Sequence, residues 1–303
     1  MKSKNTLSVI MILIAATGWG LIGVFTRPLS AVHLSAIQIT FIRSILVAIG
    51  MGIFLLVKDK TLLRVKIKDF WLFLGMGLVS IVFFNVCYFL TINQTTLATA
   101  SILLYTAPCF VVLMSACFFK EKITGQKVSA LVLAFIGCAM ASGFAGGEIR
   151  TISLMTGLGS GLGYASYSIF GKVALKKYQT FTVIFYTFVV STIGLLPFSH
   201  VPMIVSTFAN DFNSILLALG LGTVSTFMPY IFYTNGLQYV EAGKASVLAF
   251  AEPMVATIAG IVIFKEPLHF KNAMGILLIF LAIVLLNIPL EKMVKRNVIN
   301  HEM

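Results

Sequence analysis

Two ionisable side chains in this 303-residue chain, Arg43 and Glu252, lie well inside long apolar segments. A charge at the centre of a lipid bilayer costs roughly 2.5 to 3.5 kcal/mol, so each needs a partner or a water-filled cavity. In a cavity, a guanidinium can bind a carboxylate through two parallel hydrogen bonds, which suits an amino-acid-like molecule. A carboxylate can hold an amine or exchange a proton. The two residues could instead form a structural ion pair, and the sequence leaves both interpretations open.

Aromatic residues that carry a polar atom form a second candidate group. Trp and Tyr in membrane proteins commonly lie at the level of the lipid headgroups. Several of those in this chain lie deeper, where an indole N–H or a phenol O–H facing lipid would have no hydrogen-bond partner. We predict that they line a cavity, in which stacking and cation–π contacts would suit planar or cationic solutes. The candidate binding residues are Trp19, Tyr88, Tyr105, Tyr164, Tyr167 and Tyr233.

Two prolines, Pro108 and Pro253, lie inside apolar segments, and Glu252 directly precedes the second. Proline has no backbone N–H, so each leaves a carbonyl one turn earlier without its helical partner. This predicts a kink in both helices, which either gates the cavity or only fits the packing.

The composition is that of an integral membrane protein. Hydrophobic residues make up 59% of the chain, charged residues only 11%, and the mean hydropathy is +1.00; soluble domains contain roughly 25% charged residues. The net charge of +12 comes from basic residues scattered between apolar segments, so a nucleic-acid partner is not expected.

The sequence predicts neither a metal nor a nucleotide cofactor. The four cysteines lie in apolar runs and are interpreted as packing residues, and no histidine lies inside an apolar segment. A P-loop and a dinucleotide-binding motif are both missing from the sequence. The absence of an intramembrane base beside a serine or cysteine also argues against a membrane-embedded enzyme.

These residues belong to a chain that repeats itself at an offset of 145 positions. The repeat pairs Ala100, Ser101, Leu103, Pro108, Phe119, Lys120 and Glu121 with Ala245, Ser246, Leu248, Pro253, Phe264, Lys265 and Glu266. The two interior charges break it, because Arg43 corresponds to Phe188 and Glu252 to Ala107. A purely architectural charge would be expected in both copies, so this asymmetry favours a functional role.

Ten apolar runs, five in each half and joined by short connections, are long enough or nearly long enough to cross a bilayer. They begin near Leu7, Leu34, Phe70, Ala98, Val128, Ser153, Phe181, Phe212, Lys244 and Asn272. Lysine and arginine concentrate in alternate connections, which predicts cytoplasmic termini and leaves only Arg27, Arg150, Lys265 and Lys271 outside. An odd number of spans per half makes the second half enter from the opposite side. We therefore predict two inverted repeats, residues 1–147 and 148–291, with a cytoplasmic tail at 292–303.

The motifs resemble those of the EamA-type family in the drug/metabolite transporter superfamily. The resemblance rests on Gly18-Trp19-Gly20, on Phe41-Ile42-Arg43, on an Ala-Ser stretch that ends in proline in both fourth helices, on Glu252-Pro253, and on the two Lys-Glu pairs. It covers about residues 5 to 290. It implies that small metabolites, frequently amino acids and their relatives, are exported or less often taken up by alternating access.

The sequence therefore predicts a multi-pass secondary transporter of the cytoplasmic membrane that moves a small amphipathic metabolite, with protons as a candidate coupling ion. Cationic drugs or quaternary amines and nucleotide-sugars are the alternative substrate classes. A membrane-embedded enzyme and a scaffold or receptor without flux are the alternatives of another class. The substrate, the direction of transport and the oligomeric state are left open by the sequence.

Overall fold

The computed structural model describes residues 2–143 and 150–288, and this part of the chain is all-helical, without a strand. In the first half the α-helices α1 to α8 are Lys2–Gly20, Ile22–Ala31, Ala36–Lys58, Phe70–Leu74, Phe84–Gln94, Leu97–Leu104, Ala107–Phe119 and Gly125–Ala141. In the second half α9 to α16 are Thr151–Ala174, Thr180–Leu195, Val201–Asn210, Phe212–Gly222, Met228–Tyr239, Ala242–Leu248, Ala251–Phe264 and Phe270–Asn287. The predicted tail 292–303 lies outside the described residues.

Eight helical stretches of the described residues are long and apolar enough to cross a membrane. They are Asn5–Ala31, Ala36–Lys58, Ile67–Gln94, Leu97–Phe119, Thr180–Phe198, Phe212–Tyr239, Ala242–Phe264 and Phe270–Asn287. The predicted fifth and sixth spans do not meet these criteria. Helix α8 has only 17 residues, and the 24 residues of α9 include many glycines and serines.

Small residues in α9 allow other helices to approach its backbone. A Cβ atom added to Gly163 would lie 3.0 Å from atoms of Phe84, and one added to Gly161 would lie 2.6 Å from the Thr106 hydroxyl. Close approach through glycine is how helices pack within a membrane bundle. The low hydropathy of α9 is thus explained by contacts with protein on several sides.

The two spans that contain Pro108 and Pro253 are interrupted near the middle. Helix α6 ends at Leu104 and α7 begins at Ala107, with Pro108 in its first turn; α14 ends at Leu248 and α15 begins at Ala251, with Pro253 in its first turn. Proline is well tolerated in a first turn because the N–H groups there have no helical acceptor. The structure therefore has two half-helices in each span where the sequence predicted a kink.

Three features of the described chain were not predicted. The stretches Gly75–Phe83 and Thr223–Phe227 are π-helical, and they overlap at the 145-residue offset. The connection after α10, predicted to be short, contains the ten-residue helix α11. These features depend on local backbone hydrogen bonding, which a span search based on hydropathy does not detect.

Helices from the two halves pack against one another in matching pairs. Helix α1 contacts α13, α14 and α15, while α9 contacts α5, α6 and α7, which lie 145 positions earlier than those partners. Helix α3 packs against its counterpart α10, and α8 against α16. The core is therefore shared between the halves, with α1 and α9 at its centre.

Helices α8 and α16 are so close together at Gly275 that one added methyl group is expected to lower the stability of the fold. A Cβ atom on Gly275 would lie 2.5 Å from the backbone nitrogen of Ala141 and 2.6 Å from the carbonyl oxygen of Gly137. Because neither contact is the end of a flexible side chain, we expect Gly275→Ala to destabilise the fold by about 1 to 3 kcal/mol. Thermal unfolding in detergent measures this loss. Gly125→Ala is the control, since nothing lies within 4 Å of its Cβ position and its midpoint should not fall.

Candidate functional site

Most of the predicted aromatic residues meet at the junction of α1, α9 and α13. The Trp19 ring centroid lies 6.4 Å from that of Tyr164 and 5.1 Å from that of Tyr233, and the Tyr167 and Tyr233 centroids are 6.2 Å apart. Trp19, Tyr167 and Tyr233 are less than a tenth exposed. We call Trp19, Tyr164, Tyr167, Tyr230 and Tyr233 the aromatic cluster. Its rings surround a cavity of about 20 Å³, the size of about one water molecule.

Two hydroxyl groups of the aromatic cluster are bonded between α9 and α13. The Tyr167 and Thr234 hydroxyls are 2.8 Å apart, and the Ser168 and Tyr233 hydroxyls are 2.7 Å apart. Buried phenols normally find such partners because an unsatisfied hydroxyl is costly in an apolar environment. These bonds fix the orientation of both rings.

Glu252 is joined to the aromatic cluster by a hydrogen bond. It lies in the first turn of α15, directly after the break in this span, and the Tyr164 hydroxyl donates to its Oε2 atom at 3.2 Å. A second cavity of about 20 Å³ is lined by Glu252, Tyr164, Tyr105 and Pro108. Tyr164 lines both small cavities, so it is the member of the aromatic cluster that adjoins the carboxyl group.

Arg43 is buried on α3, with 8% of its surface exposed, and its Nε atom has no hydrogen-bond partner. It does not form a salt bridge with Glu252, so the ion pair that the sequence left open is not made in this conformation. The guanidinium instead lies near Tyr230, which interacts electrostatically with both charges. Its donor capacity is thus only partly used by the protein.

Tyr230 is the main member of the site that sequence reasoning missed. Its ring centroid lies 5.4 Å from that of Trp19, 5.1 Å from that of Tyr167 and 4.8 Å from that of Phe188. A usable signal was present, because Tyr230 and Tyr233 are three residues apart and share one face of a helix. The repeat adds no support at this position, since Asn85 occupies it in the first half.

Tyr88 and Tyr105 lie at the edge of the site. The Tyr88 hydroxyl is 3.2 Å from that of Ser101, and its ring contacts Phe84, which in turn packs edge-on against Tyr164 at 5.5 Å. Tyr105 occupies the break between α6 and α7 and packs at 6.2 Å against Phe250, its counterpart in the repeat.

A larger cavity of about 320 Å³ begins at Tyr105 and extends to one end of the bundle. Tyr105 also lines the small cavity beside Glu252, so this residue borders both spaces. Its lining includes Arg27 and Glu266, whose side chains are about half exposed and form an ion pair at 2.6 Å. Other lining residues include Leu97, Ala98, Ser101, Pro253, Thr257 and Asn272.

At the opposite end of the bundle, several residues that correspond to this cavity lining in the repeat are buried, and that end is closed. Leu97 is 57% exposed whereas its counterpart Ala242 is fully buried, and Phe250, the counterpart of Tyr105, is 1% exposed. Here both carboxylate oxygens of Glu121 accept backbone hydrogen bonds, from the N–H of Ala242 at 2.8 Å and of Gly243 at 3.1 Å. The site therefore lies between one open end and one closed end.

The described residues contain no group of three or more His, Cys, Asp or Glu side chains that could hold a metal ion. The charged and aromatic side chains of the site offer groups for binding. A guanidinium with a free N–H suits an anion, a carboxyl group suits an amine or a proton, and aromatic faces suit apolar or cationic groups.

Comparison with known sequences gives two matches to one family model. The model described as EamA-like transporter family matches residues 6–143 and again residues 151–288. A protein of Archaeoglobus fulgidus named an uncharacterized transporter is 31% identical over 277 residues, which cover 90% of this chain and 96% of that protein. The pseudopaline exporter CntI of Pseudomonas aeruginosa is 25% identical over 239 residues, covering 79% of this chain and 81% of that protein.

Comparison with solved structures supports the same architecture. One crystal structure superposes with a TM-score of 0.76 over 92% of this chain and 96% of that chain, at 15% sequence identity. At this identity the likeness concerns the fold alone.

Proposed function

Because this chain belongs to the EamA-like transporter family, we propose that it exports a small amino-acid-like metabolite across the cytoplasmic membrane by alternating access. The observation that carries this proposal is the position of Arg43, Glu252 and the aromatic cluster between a cavity open at one end and a closed opposite end. The name of the Pseudomonas relative supports export as the direction.

The proposed architecture has ten spans in two inverted repeats, residues 1–147 and 148–291. The shared 145-residue offset and the matched packing of α1 and α9 support it, as do the eight apolar stretches. We assign α8 and α9 as the remaining spans, because α8 packs along α16 and protein surrounds α9. With both termini in the cytoplasm, as the lysine and arginine bias favours, the open end faces outward.

The proposed binding residues act on different parts of the solute. Arg43 binds its carboxylate, Glu252 binds its amine or exchanges a proton, and Trp19, Tyr164, Tyr167, Tyr230 and Tyr233 contact its side chain. Tyr88 and Tyr105 lie on the route from the open end. The helix breaks at Pro108 and Pro253 allow the half-helices on either side to tilt separately during the cycle.

Quaternary amines are the second candidate substrate class. Five aromatic rings close to a carboxyl group form the kind of cage that binds such cations through cation–π contacts. A cation without a carboxylate would leave Arg43 without a ligand, which is why we place amino-acid-like solutes first.

Flux through the purified protein in liposomes tests the proposed function. A panel of labelled neutral, acidic and basic amino acids, a quaternary amine and a nucleotide-sugar is offered with and without a pH gradient, and entry is compared with that into protein-free liposomes. We expect an amino acid to enter unchanged and to be competed by the same unlabelled compound. Entry of none of these solutes above the protein-free level contradicts the proposal, and a chemically altered product would indicate an enzyme.

A further inference from the structure

Glu121 and Glu266 lie 145 positions apart, and the backbone around each of them has the same geometry. Each follows a lysine in the left-handed conformation, with φ of 56° at Lys120 and 58° at Lys265. Each glutamate N–H then donates to the carbonyl six positions back in the sequence, at 3.3 Å in the first half and 3.2 Å in the second. Both helices therefore end with the same left-handed lysine and the same backbone bond, so the local chain places the two carboxylates equivalently.

Despite this equivalence, the two carboxylates have different partners. Glu121 accepts from the backbone N–H groups of Ala242 and Gly243, and so joins the end of α7 to the start of α14. Glu266 instead binds Arg27 and, among the described residues, does not bind the corresponding N–H groups of Leu97 and Ala98. The end with the backbone contact is closed, and the end without it contains the cavity of about 320 Å³.

The repeat also supplies each glutamate with a cation. The counterpart of Arg27 is Lys172, which interacts electrostatically with Glu121 while its Nζ atom donates to the Leu237 carbonyl at 2.8 Å. Each end therefore contains, at corresponding positions of the repeat, a glutamate, a cation and a pair of backbone N–H groups. At the closed end the carboxylate binds the N–H groups, and at the open end it binds the cation.

We propose that Glu121 and Glu266 are alternating latches that hold the two ends of the transporter closed in turn. When the end at Glu266 closes, its carboxylate leaves Arg27 and binds the N–H groups of Leu97 and Ala98; at the other end Glu121 releases Ala242 and Gly243 and pairs with Lys172. The proposal rests on the alternating access proposed above and adds the groups that stabilise each state. Because a carboxylate makes a similar pair of charge-assisted bonds in both states, neither state is strongly favoured, as a cycling protein requires.

Thiol labelling at two matched serines tests the latches. Ser101 lines the open cavity and its counterpart Ser246 is 4% exposed at the closed end. In a background without the four native cysteines, Ser101→Cys and Ser246→Cys report the access to each end, as the rate of reaction with a small charged methanethiosulfonate in lipid nanodiscs. We expect the parent to react faster at Ser101→Cys.

Glu121→Gln should reverse this preference. The amide oxygen can accept from one backbone N–H, while its NH₂ group cannot accept from the other. We expect the reaction at Ser246→Cys to accelerate about tenfold and that at Ser101→Cys to slow down, since the loss of one charge-assisted bond changes a two-state ratio by this order. Arg27→Gln removes the partner of Glu266 at the open end and should shift both rates in the same directions.

Asp59→Asn is the control, because Asp59 is an exposed carboxylate whose side chain bonds Thr61 in its own turn. It should leave both rates unchanged. Unchanged rates with Glu121→Gln and Arg27→Gln, or faster labelling at both serines, would overturn the latch. The labelling experiment does not require transport, so the two proposals can fail separately. If the parent moves no solute but the variants shift the labelling rates as expected, only the proposed function is wrong. If the parent transports a solute but the variants leave the labelling rates unchanged, only the latch is wrong.

Discussion

Arg43→Lys should leave the protein folded but weaken binding of its substrate by roughly tenfold to a hundredfold, the value of one charge-assisted hydrogen bond. Lysine keeps the positive charge but has no planar fork for a carboxylate. The buried Nε atom of Arg43, which has no partner in the protein, is the donor that lysine lacks. Isothermal calorimetry with the best solute of the flux panel measures the change.

Arg64→Lys is the control for replacing an arginine by a lysine outside the site, since Arg64 is exposed in the connection after α3. Its affinity for the solute should equal that of the parent. If Arg43→Lys also binds like the parent, a point charge is sufficient and the proposed bidentate contact is wrong. Normal transport by the double variant Arg43→Gln, Glu252→Gln would remove both charges from the mechanism.

Glu252→Gln should abolish accumulation of the substrate against its gradient while exchange of substrate for substrate continues. The amide keeps the shape of the side chain and can still accept from the Tyr164 hydroxyl, which lies 3.2 Å from the parent carboxylate, but it stays neutral. A pH gradient of one unit supplies about 1.4 kcal/mol per proton, enough for about tenfold accumulation in the parent. In the variant the accumulation ratio should fall to about one, as measured by labelled substrate in liposomes.

Two comparisons separate proton coupling from other effects of the substitution. Glu241→Gln removes a carboxylate outside the site and should accumulate substrate like the parent. Trp19→Ala should change which solutes compete for entry and leave the dependence on the pH gradient intact. If Glu252→Gln still concentrates its substrate with the pH dependence of the parent, the proton is carried elsewhere and Glu252 serves only in binding or packing.

Many of the helices could be predicted because the length of an apolar segment and the presence of an internal repeat can both be read directly along the sequence. The runs predicted from Leu34 and Phe212 start within a few residues of helices at Ala36 and Phe212, and both interrupted spans contain the predicted prolines. Helix α11 was missed because its ten residues are too short for the search, which considered only spans.

The site was harder to predict because it depends on the direction in which each side chain leaves its helix. Arg43 and Glu252 were identified as buried charges, yet whether they touch depends on helix rotation, which sequence alone does not give. Tyr230 was not predicted, although it lies three residues before Tyr233 on the same face of a helix. The difference between the open and closed ends could not be predicted at all, since the alternating access that we propose requires one sequence to encode both states.

The contacts of α1 with α13 and α15 can form only after those later helices have been synthesised. At roughly 5 to 20 residues per second, the roughly 200 residues between the end of α1 and the start of α13 take on the order of 10 to 40 s to synthesise. Until then α1 lacks the Tyr230 and Tyr233 rings that pack against Trp19. A ribosome that stalls before α13 would therefore leave a nascent chain whose first helix lacks its contacts with α13 and α15, a substrate for membrane quality control.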